Sequence, residues 1–140
     1  MTRRKIREHI FRILFDIGFH SENEFEEQYE MYWNVQEDSP NEEEHGEIKE
    51  KLKAIRHKIS EMDPVIEKCS KGWKLNRIGN ADITILRLAI YEIKYDEKVP
   101  VKVAINEAVE LAKKYGMDNS PGFVNGILAN VAKQYEEGLE

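Results

Sequence analysis

The sequence is short of the features that mark secreted and membrane-spanning proteins. Its 140 residues include one cysteine, Cys69, so an internal disulfide is excluded. We interpret Cys69 as a small buried or half-buried thiol, because no histidine pattern around it indicates a nucleophile. No signal-peptide pattern is present, and no apolar run approaches the ~18 residues of a membrane span. We therefore expect a cytoplasmic protein with no membrane segment.

Motifs of enzymes and metal sites are also missing. Neither of the common glycine-rich phosphate loops can be written over the sequence, and no serine stands in a nucleophile elbow. The four histidines are scattered, and none forms an i,i+4 pair with another histidine or a cysteine. We predict no catalytic residue, no metal site and no cofactor.

The formal net charge of −6 is unevenly distributed along the chain. Residues 21–50 carry one lysine against twelve acidic side chains, whereas residues 1–20 carry five basic and two acidic ones. Screening limits each cluster to about 8–10 Å at ordinary salt, so an acidic segment remote from the basic start would not cancel it.

Apolar residues recur at helical spacing almost throughout, and no stretch alternates as a strand does. Ile6, Ile10, Ile13 and Ile17 predict the first helix, which Gly18 would end. Further helices are predicted over the aromatic positions 25–33, from about 43 to 60, from Asp63-Pro64 toward 72, between 79 and 100, over 101–116, and from Ser120, with Ser120 as the cap. The prediction is an all-α fold of about seven helices in one domain, 1–140.

Two details of this pattern need support from packing. The helix between residues 79 and 100 is apolar nearly all round, which places it in the middle of a bundle. Its Arg87 and Glu92 then need partners, because burying an unpaired charge costs several kcal/mol. Gly126 lies inside the last helix and is tolerable there if another helix passes close by.

The first twelve residues gather five positive side chains against one acid, Glu8. The helix dipole disfavours cations at a helix start, so this placement is mild evidence for another purpose. Arginine binds phosphate well through its planar fork, which favours nucleic-acid binding that weakens with salt. The alternative is an ordinary solvated helix end. The basic residues are Arg3, Arg4, Lys5, Arg7 and Arg12.

Two later stretches, VKVAINEAVELAKKYG (101–116) and NSPGFVNGIL (119–128), closely resemble the NusB family of bacterial transcription antitermination factors. The segment WKLNRIGNADITILRLAIYEI (73–93) and the opening RRKIRE match family regions in register, whereas residues 20–60 match only in helical pattern. The resemblance implies a NusB-like fold of two closely packed helical subdomains, forming a single RNA-binding domain over 1–140. It also implies no catalytic activity.

Family members bind the boxA element of ribosomal-operon transcripts together with NusE, a small-subunit ribosomal protein, within the antitermination complex of RNA polymerase. By position, the resemblance assigns RNA binding to the basic start and to Phe123, although Phe123 suits core packing equally well. It assigns partner binding to three further positions. The predicted RNA-binding residues are Arg3, Arg4, Lys5, Arg7 and Phe123, and the predicted partner-binding residues are Phe15, Asp82 and Asn119.

The sequence departs from some relatives at Asn119, where several carry an acid, and at Gly122, where several carry a lysine. The missing lysine removes a phosphate contact, so we expect weaker RNA binding without the partner. One alternative is therefore a protein-interaction module with weak or lost RNA recognition. Another, an RNA-binding appendage of a ribosomal RNA methyltransferase, conflicts with the absence of a cofactor-binding loop. The role of the acidic segment 21–50, in repelling RNA or in solubility, and the formation of a homodimer stay open.

Overall fold

The computed structural model describes residues 1–17 and 22–136, which form six α-helices and one short 3-10 turn and, within those ranges, no strand. The predicted all-α class is confirmed, with six α-helices in place of about seven. None of the described helices is both long and apolar enough to cross a membrane. The elements are α1 (Arg3–Ile17), α2 (Glu22–Asn34), α3 (Glu42–Cys69), the 3-10 turn (Leu75–Arg77), α4 (Asn80–Tyr95), α5 (Val101–Tyr115) and α6 (Ser120–Glu136).

The prediction of a new helix at Asp63-Pro64 is wrong, because α3 runs through Pro64 without a break. A proline inside a helix costs about 3 kcal/mol, since it lacks an N–H and clashes with the preceding turn. Packing on both sides of the proline offsets this cost. Met62 and Ile66 are fully buried, and Asp63 is held by Arg87. Tertiary contacts thus override the local signal to stop.

The chain divides into two compact units, Met1–Arg56 and His57–Glu140, with the division inside α3. Unit 1 contains α1, α2 and the first half of α3, and α1 packs on α2. The predicted stripe on α1 is buried as expected, while the predicted stop at Gly18 lies outside the described residues. The buried stripe comprises Ile6, Ile10, Ile13 and Ile17.

Unit 2 contains the second half of α3 followed by α4, α5 and α6, which pack on one another. Nine residues of α4 are buried, so its predicted place among the other helices is confirmed. Arg87 has a partner, as expected for a charged side chain on a buried helix. Its Nε and Nη2 donate to the two carboxylate oxygens of Asp63 at 2.9 and 2.8 Å. Glu92 is buried as well.

Gly126 does not mark a close helix contact, contrary to expectation. A Cβ built at this position meets no atom within 4 Å, and the residue is exposed. Glycine lowers helix stability by about 1 kcal/mol relative to alanine. We expect Gly126→Ala to raise the free energy of unfolding by about 0.5–1 kcal/mol, measured by urea denaturation.

Gly116 supplies the matched control for that substitution. A Cβ there would lie 2.5 Å from both Cβ and Oγ of Ser120. Gly116→Ala should therefore destabilise the same unit, although the chemical change is identical. A loss of stability in Gly126→Ala comparable to that in Gly116→Ala would contradict the assignment of open space around Gly126.

Candidate nucleic-acid interface

The first turn of α1 presents the predicted basic cluster to solvent. Arg3, Arg4 and Lys5 are exposed, the Arg3 side chain to 84 %, and Arg7 is half-buried. Thr2 is the N-cap of α1. Its side-chain oxygen accepts the Lys5 N–H at 3.1 Å, and its carbonyl oxygen accepts the Ile6 N–H. This turn is the N-terminus of α1 and therefore the positive end of the helix dipole. It contains no acidic residue that would offset the charge of the cations.

The acidic segment is not remote from this cluster, because the start of α3 lies beside it. Glu47 Oε2 accepts a hydrogen bond from Arg3 Nη1 at 3.4 Å. Glu44 accepts one from the terminal ammonium of Met1 at 2.8 Å, and this bond lowers the pKa of the Glu44 carboxyl. The pair between Arg3 and Glu47 is exposed, and such pairs contribute little and exchange readily for other ions. A phosphate therefore has to compete with Glu47 for Arg3.

A buried histidine fixes α1 within unit 1. His9 Nε2 lies 3.2 Å from Asp38 Oδ2, and its Nδ1 lies 2.7 Å from the Tyr32 hydroxyl. A carboxylate only accepts, so Nε2 donates to Asp38, and in the neutral imidazole Nδ1 then accepts from Tyr32. The bond from His9 lowers the pKa of Asp38, and burial raises that of Tyr32 to about 12. The helix that carries the basic cluster is thus positioned by a satisfied polar network.

Phe15, predicted to bind the partner, lies on the outer side of α1. Its side chain is 46 % exposed, whereas Phe11, one turn earlier, is buried. The two rings are 6.0 Å apart between centroids. An exposed phenylalanine supported by a buried one is suited to docking against an apolar surface. The geometry is compatible with the predicted role, which stays a prediction.

The start of α6 carries Asn119 and Phe123, both predicted to lie at the interface. Asn119 is exposed, and its carbonyl accepts the Phe123 N–H at 3.1 Å. Asn119 therefore takes the capping position that the sequence suggested for Ser120. The Ser120 hydroxyl instead accepts the Met117 N–H at 2.8 Å and donates to Asp82 Oδ2 at 3.0 Å. Ser120 joins α6 to α4 in place of capping α6.

Asp82 is therefore half-buried and already engaged within unit 2. Its Oδ1 is buried and, among the described residues, has no hydrogen-bond partner. Asp82 holds the start of α6 against the start of α4, and so positions Asn119 and Phe123. Its direct contact with a partner remains a prediction.

Phe123 is half-exposed, which favours a surface ring over plain core packing. Its ring meets Trp73 edge to face, with centroids 6.2 Å apart and an interplanar angle of 77°. Trp73 is absent from the predicted site residues. The sequence does contain a sign that Trp73 is exposed: it follows Gly72 and lies between two lysines, a pattern typical of a surface turn.

The structure thus distributes the predicted residues over two groups. The basic residues and Phe15 share α1 in unit 1. Asp82, Asn119 and Phe123 lie together at the starts of α4 and α6 in unit 2.

Among the residues that the structure describes, the remaining reactive side chains do not gather into a metal or nucleophile site. Cys69 is buried, which confirms that interpretation of the thiol, and burial raises its pKa. A raised thiol pKa disfavours the thiolate that nucleophilic chemistry needs. Within residues 1–17 and 22–136, no three His, Cys, Asp or Glu side chains cluster as metal ligands would.

Known proteins provide an independent comparison. The model of the NusB family matches residues 4–133. The transcription antitermination protein NusB of Lachnoclostridium phytofermentans is 52 % identical over 132 residues, covering 94 % of this chain and 98 % of that protein.

Two solved structures share the fold. The structure of NusB from T. maritima has a TM-score of 0.79 and 31 % identity, covering 96 % of this chain and 92 % of that one. A crystal structure of antitermination factors NusB and NusE in complex with double-stranded RNA has a TM-score of 0.76 and 26 % identity, covering 96 % of this chain and 100 % of that one. The match to the family over nearly the whole chain, at more than half identity to a relative, settles its membership: this chain belongs to the NusB family of transcription antitermination proteins.

Proposed function

We propose that this chain is a non-enzymatic adapter that binds the boxA element of ribosomal-operon transcripts together with NusE. It would do so in the cytoplasm, as part of the antitermination complex of RNA polymerase, with 1–140 acting as a single RNA-binding domain. The observation that carries the proposal is the exposed basic first turn of α1 in a member of this family. The similar solved complex of NusB, NusE and RNA supports the choice of partners.

The basic turn supplies the electrostatic part of RNA binding. Guanidinium groups donate paired hydrogen bonds to phosphate oxygens, and binding releases counterions from the RNA. Arg3, Arg4 and Lys5 reach solvent in different directions around the helix, so they suit a flexible backbone better than one fixed anion. Sequence reading would come from stacking and from hydrogen bonds to the edges of unpaired bases.

The partner would complete the RNA-binding surface. We assign Phe15 to an apolar contact with NusE, because nearly half of its ring is exposed on a fixed helix. Asn119 is exposed at the start of α6, where its amide can donate to either the partner or the RNA. Asp82 would act by positioning Asn119 through Ser120. The output of this arrangement is the placement of RNA and protein, with no bond made or broken.

Titration of fluorescently labelled boxA RNA, with and without NusE, tests the proposal. We expect weak binding by this chain alone, because Gly122 stands where several relatives have a lysine, and tighter binding when NusE is added. The logarithm of the affinity should fall linearly with the logarithm of the salt concentration, since the basic turn contacts phosphates. Scrambled RNA of equal length is the control for sequence preference.

The contrary outcome has a specific meaning. Firm pairing with NusE that brings no gain in RNA affinity at any salt concentration would overturn the adapter mechanism. It would favour the alternative, a protein-interaction module that has lost RNA recognition.

A further inference from the structure

We propose that Trp73 and Phe123 form a stacking platform for an unpaired RNA base, and that the exposed cations beside Trp73 bind the flanking phosphates. This inference rests on the proposed function and adds a base-binding site in unit 2. The platform consists of the two rings, and the flanking cations are Lys71, Lys74 and Arg77.

The exposure of Trp73 is the first observation. Its side chain is 53 % exposed, although tryptophan is among the residues that gain most from burial. It lies within a run of four exposed residues, 71–74, and its ring edge contacts Phe123. The edge-to-face contact orients the indole and leaves ring surface available for a flat, aromatic ligand. Bases stack on such rings regardless of sequence.

The turn that carries Trp73 is firmly held, which is the second observation. The buried Ser70 hydroxyl lies 2.8 Å from the Trp73 carbonyl oxygen and 3.0 Å from that of Glu67. Lys71 and Gly72 both have positive φ, at 55° and 94°, which reverses the chain. On the other side, the Leu75 N–H donates to the Glu67 carboxylate at 2.9 Å. A ring on a fixed turn loses little conformational entropy when a ligand binds.

Charge is the third observation and determines the kind of ligand. Residues 68–77 contain four basic side chains and no acidic one. Lys71, Lys74 and Arg77 are exposed, and no ion pair joins any of them to a carboxylate in the described part of the chain. At the start of α1, by contrast, Arg3 and Lys5 each have an acidic neighbour. Exposed cations that form no ion pair, next to an exposed tryptophan, suit single-stranded nucleic acid.

The surface beside Trp73 also has room for a nucleotide. Lys74 lines an open depression of about 590 Å³ together with Glu67, Leu75, Asn76 and Ile83, and the Glu67 carboxylate there is engaged by the Leu75 N–H. The apolar side chains can contact a ribose or a base, and the exposed Asn76 amide can bond to a base edge. Lys74 is thus placed to contact the phosphate of a nucleotide next to the platform.

Substitution of Trp73 is the direct test, with NusE present and boxA RNA as the ligand. Trp73→Ala should weaken binding about 5- to 150-fold, which is the usual range for the loss of one base stack. Trp73→Phe keeps a flat ring and should stay within about threefold of the wild type. The matched control is Tyr135→Ala, which removes another exposed aromatic ring, 40 % exposed, from the same unit and should leave affinity unchanged.

Two further readouts separate stacking from general effects. The same RNA annealed to its complement has no unpaired base, so Trp73→Ala and the wild type should bind the duplex equally. Binding of the single strand should quench tryptophan fluorescence in the wild type and not in Trp73→Phe. Circular dichroism melts of each variant verify that the fold is kept.

The phosphate contacts are tested through salt dependence. Lys74→Gln with Arg77→Gln should reduce the slope of log affinity against log salt by up to about 1.4, since each phosphate contact to a single strand contributes about 0.7. Lys102→Gln with Lys113→Gln on α5 removes the same charge from unit 2 and is the control. If the control pair changes the salt slope by the same amount, net charge alone explains the result. The assignment of phosphate contacts to Lys74 and Arg77 is then overturned.

The outcomes distinguish this inference from the function on which it rests. If the wild type binds boxA RNA tightly and Trp73→Ala binds it equally well, the platform is wrong and the adapter function stands. If the wild type binds no RNA with or without NusE, both fail. If Trp73→Ala loses pairing with NusE in the absence of RNA, the surface is a protein contact and the inference is overturned.

Discussion

Reversing the charge of Arg4 and Arg7 together is expected to abolish boxA binding, with an affinity loss of at least about 100-fold. Two glutamates in place of two arginines change the local charge by four units and repel the phosphates that the basic turn would bind. Electrostatic contacts dominate the affinity of most RNA complexes, so the loss should appear at every salt concentration and be largest at low salt. Filter binding at several salt concentrations, with NusE present, measures it.

The fold should survive this double substitution. Arg4 is exposed and Arg7 is half-buried, while the buried stripe of α1 and the His9 network are unchanged. Acidic side chains at a helix start also interact favourably with the helix dipole. Lys102→Glu with Lys113→Glu is the control, because it changes the net charge equally on α5. Undiminished RNA binding by a folded Arg4→Glu, Arg7→Glu protein would contradict the role of the basic turn.

The largest effect on stability is expected from the pair between Arg87 and Asp63. The two side chains form a two-pronged hydrogen bond at 2.9 and 2.8 Å and are only 12 % and 22 % exposed. Arg87→Met removes one partner and leaves the Asp63 carboxylate poorly solvated. Removing one partner of such a pair typically costs about 3–5 kcal/mol of stability. We expect a loss near the lower end of this range, because the Asp63 side chain stays partly exposed to solvent. Urea denaturation gives the free energy of unfolding.

A double substitution separates pairing from packing. Arg87→Met with Asp63→Leu replaces the ion pair by apolar side chains of similar length, and should recover most of the stability lost in Arg87→Met. Lys113→Met breaks an exposed pair with Glu110 and should change stability little. A small effect of Arg87→Met, similar to that of Lys113→Met, would mean that the α3–α4 pair does not hold this unit together.

Much of the fold was predictable from the sequence because helix formation follows local spacing. The stripe of isoleucines on α1, the nearly all-apolar α4, and the end of α5 before Gly116 all agree with the structure. The exposed basic turn was also predictable, since charged side chains at a helix start rarely bury. The prediction of a new helix at Pro64 was wrong, because the low helix propensity of proline is a local property of the chain. The burial of Met62 and Ile66, which keeps α3 helical through Pro64, depends on packing against other helices.

The packing of the helices and the arrangement of the candidate site depend on contacts between residues that are distant in the chain. Asp63 and Arg87 are 24 positions apart, Ser120 and Asp82 are 38 apart, and Arg3 and Glu47 are 44 apart. The sequence by itself determined the helical class, the family and the location of the basic turn, because spacing and motifs are properties of the chain. Only the tertiary structure brought Trp73 against Phe123 and Glu47 beside Arg3, because such pairs form when helices pack, and periodicity does not specify which side chains then meet.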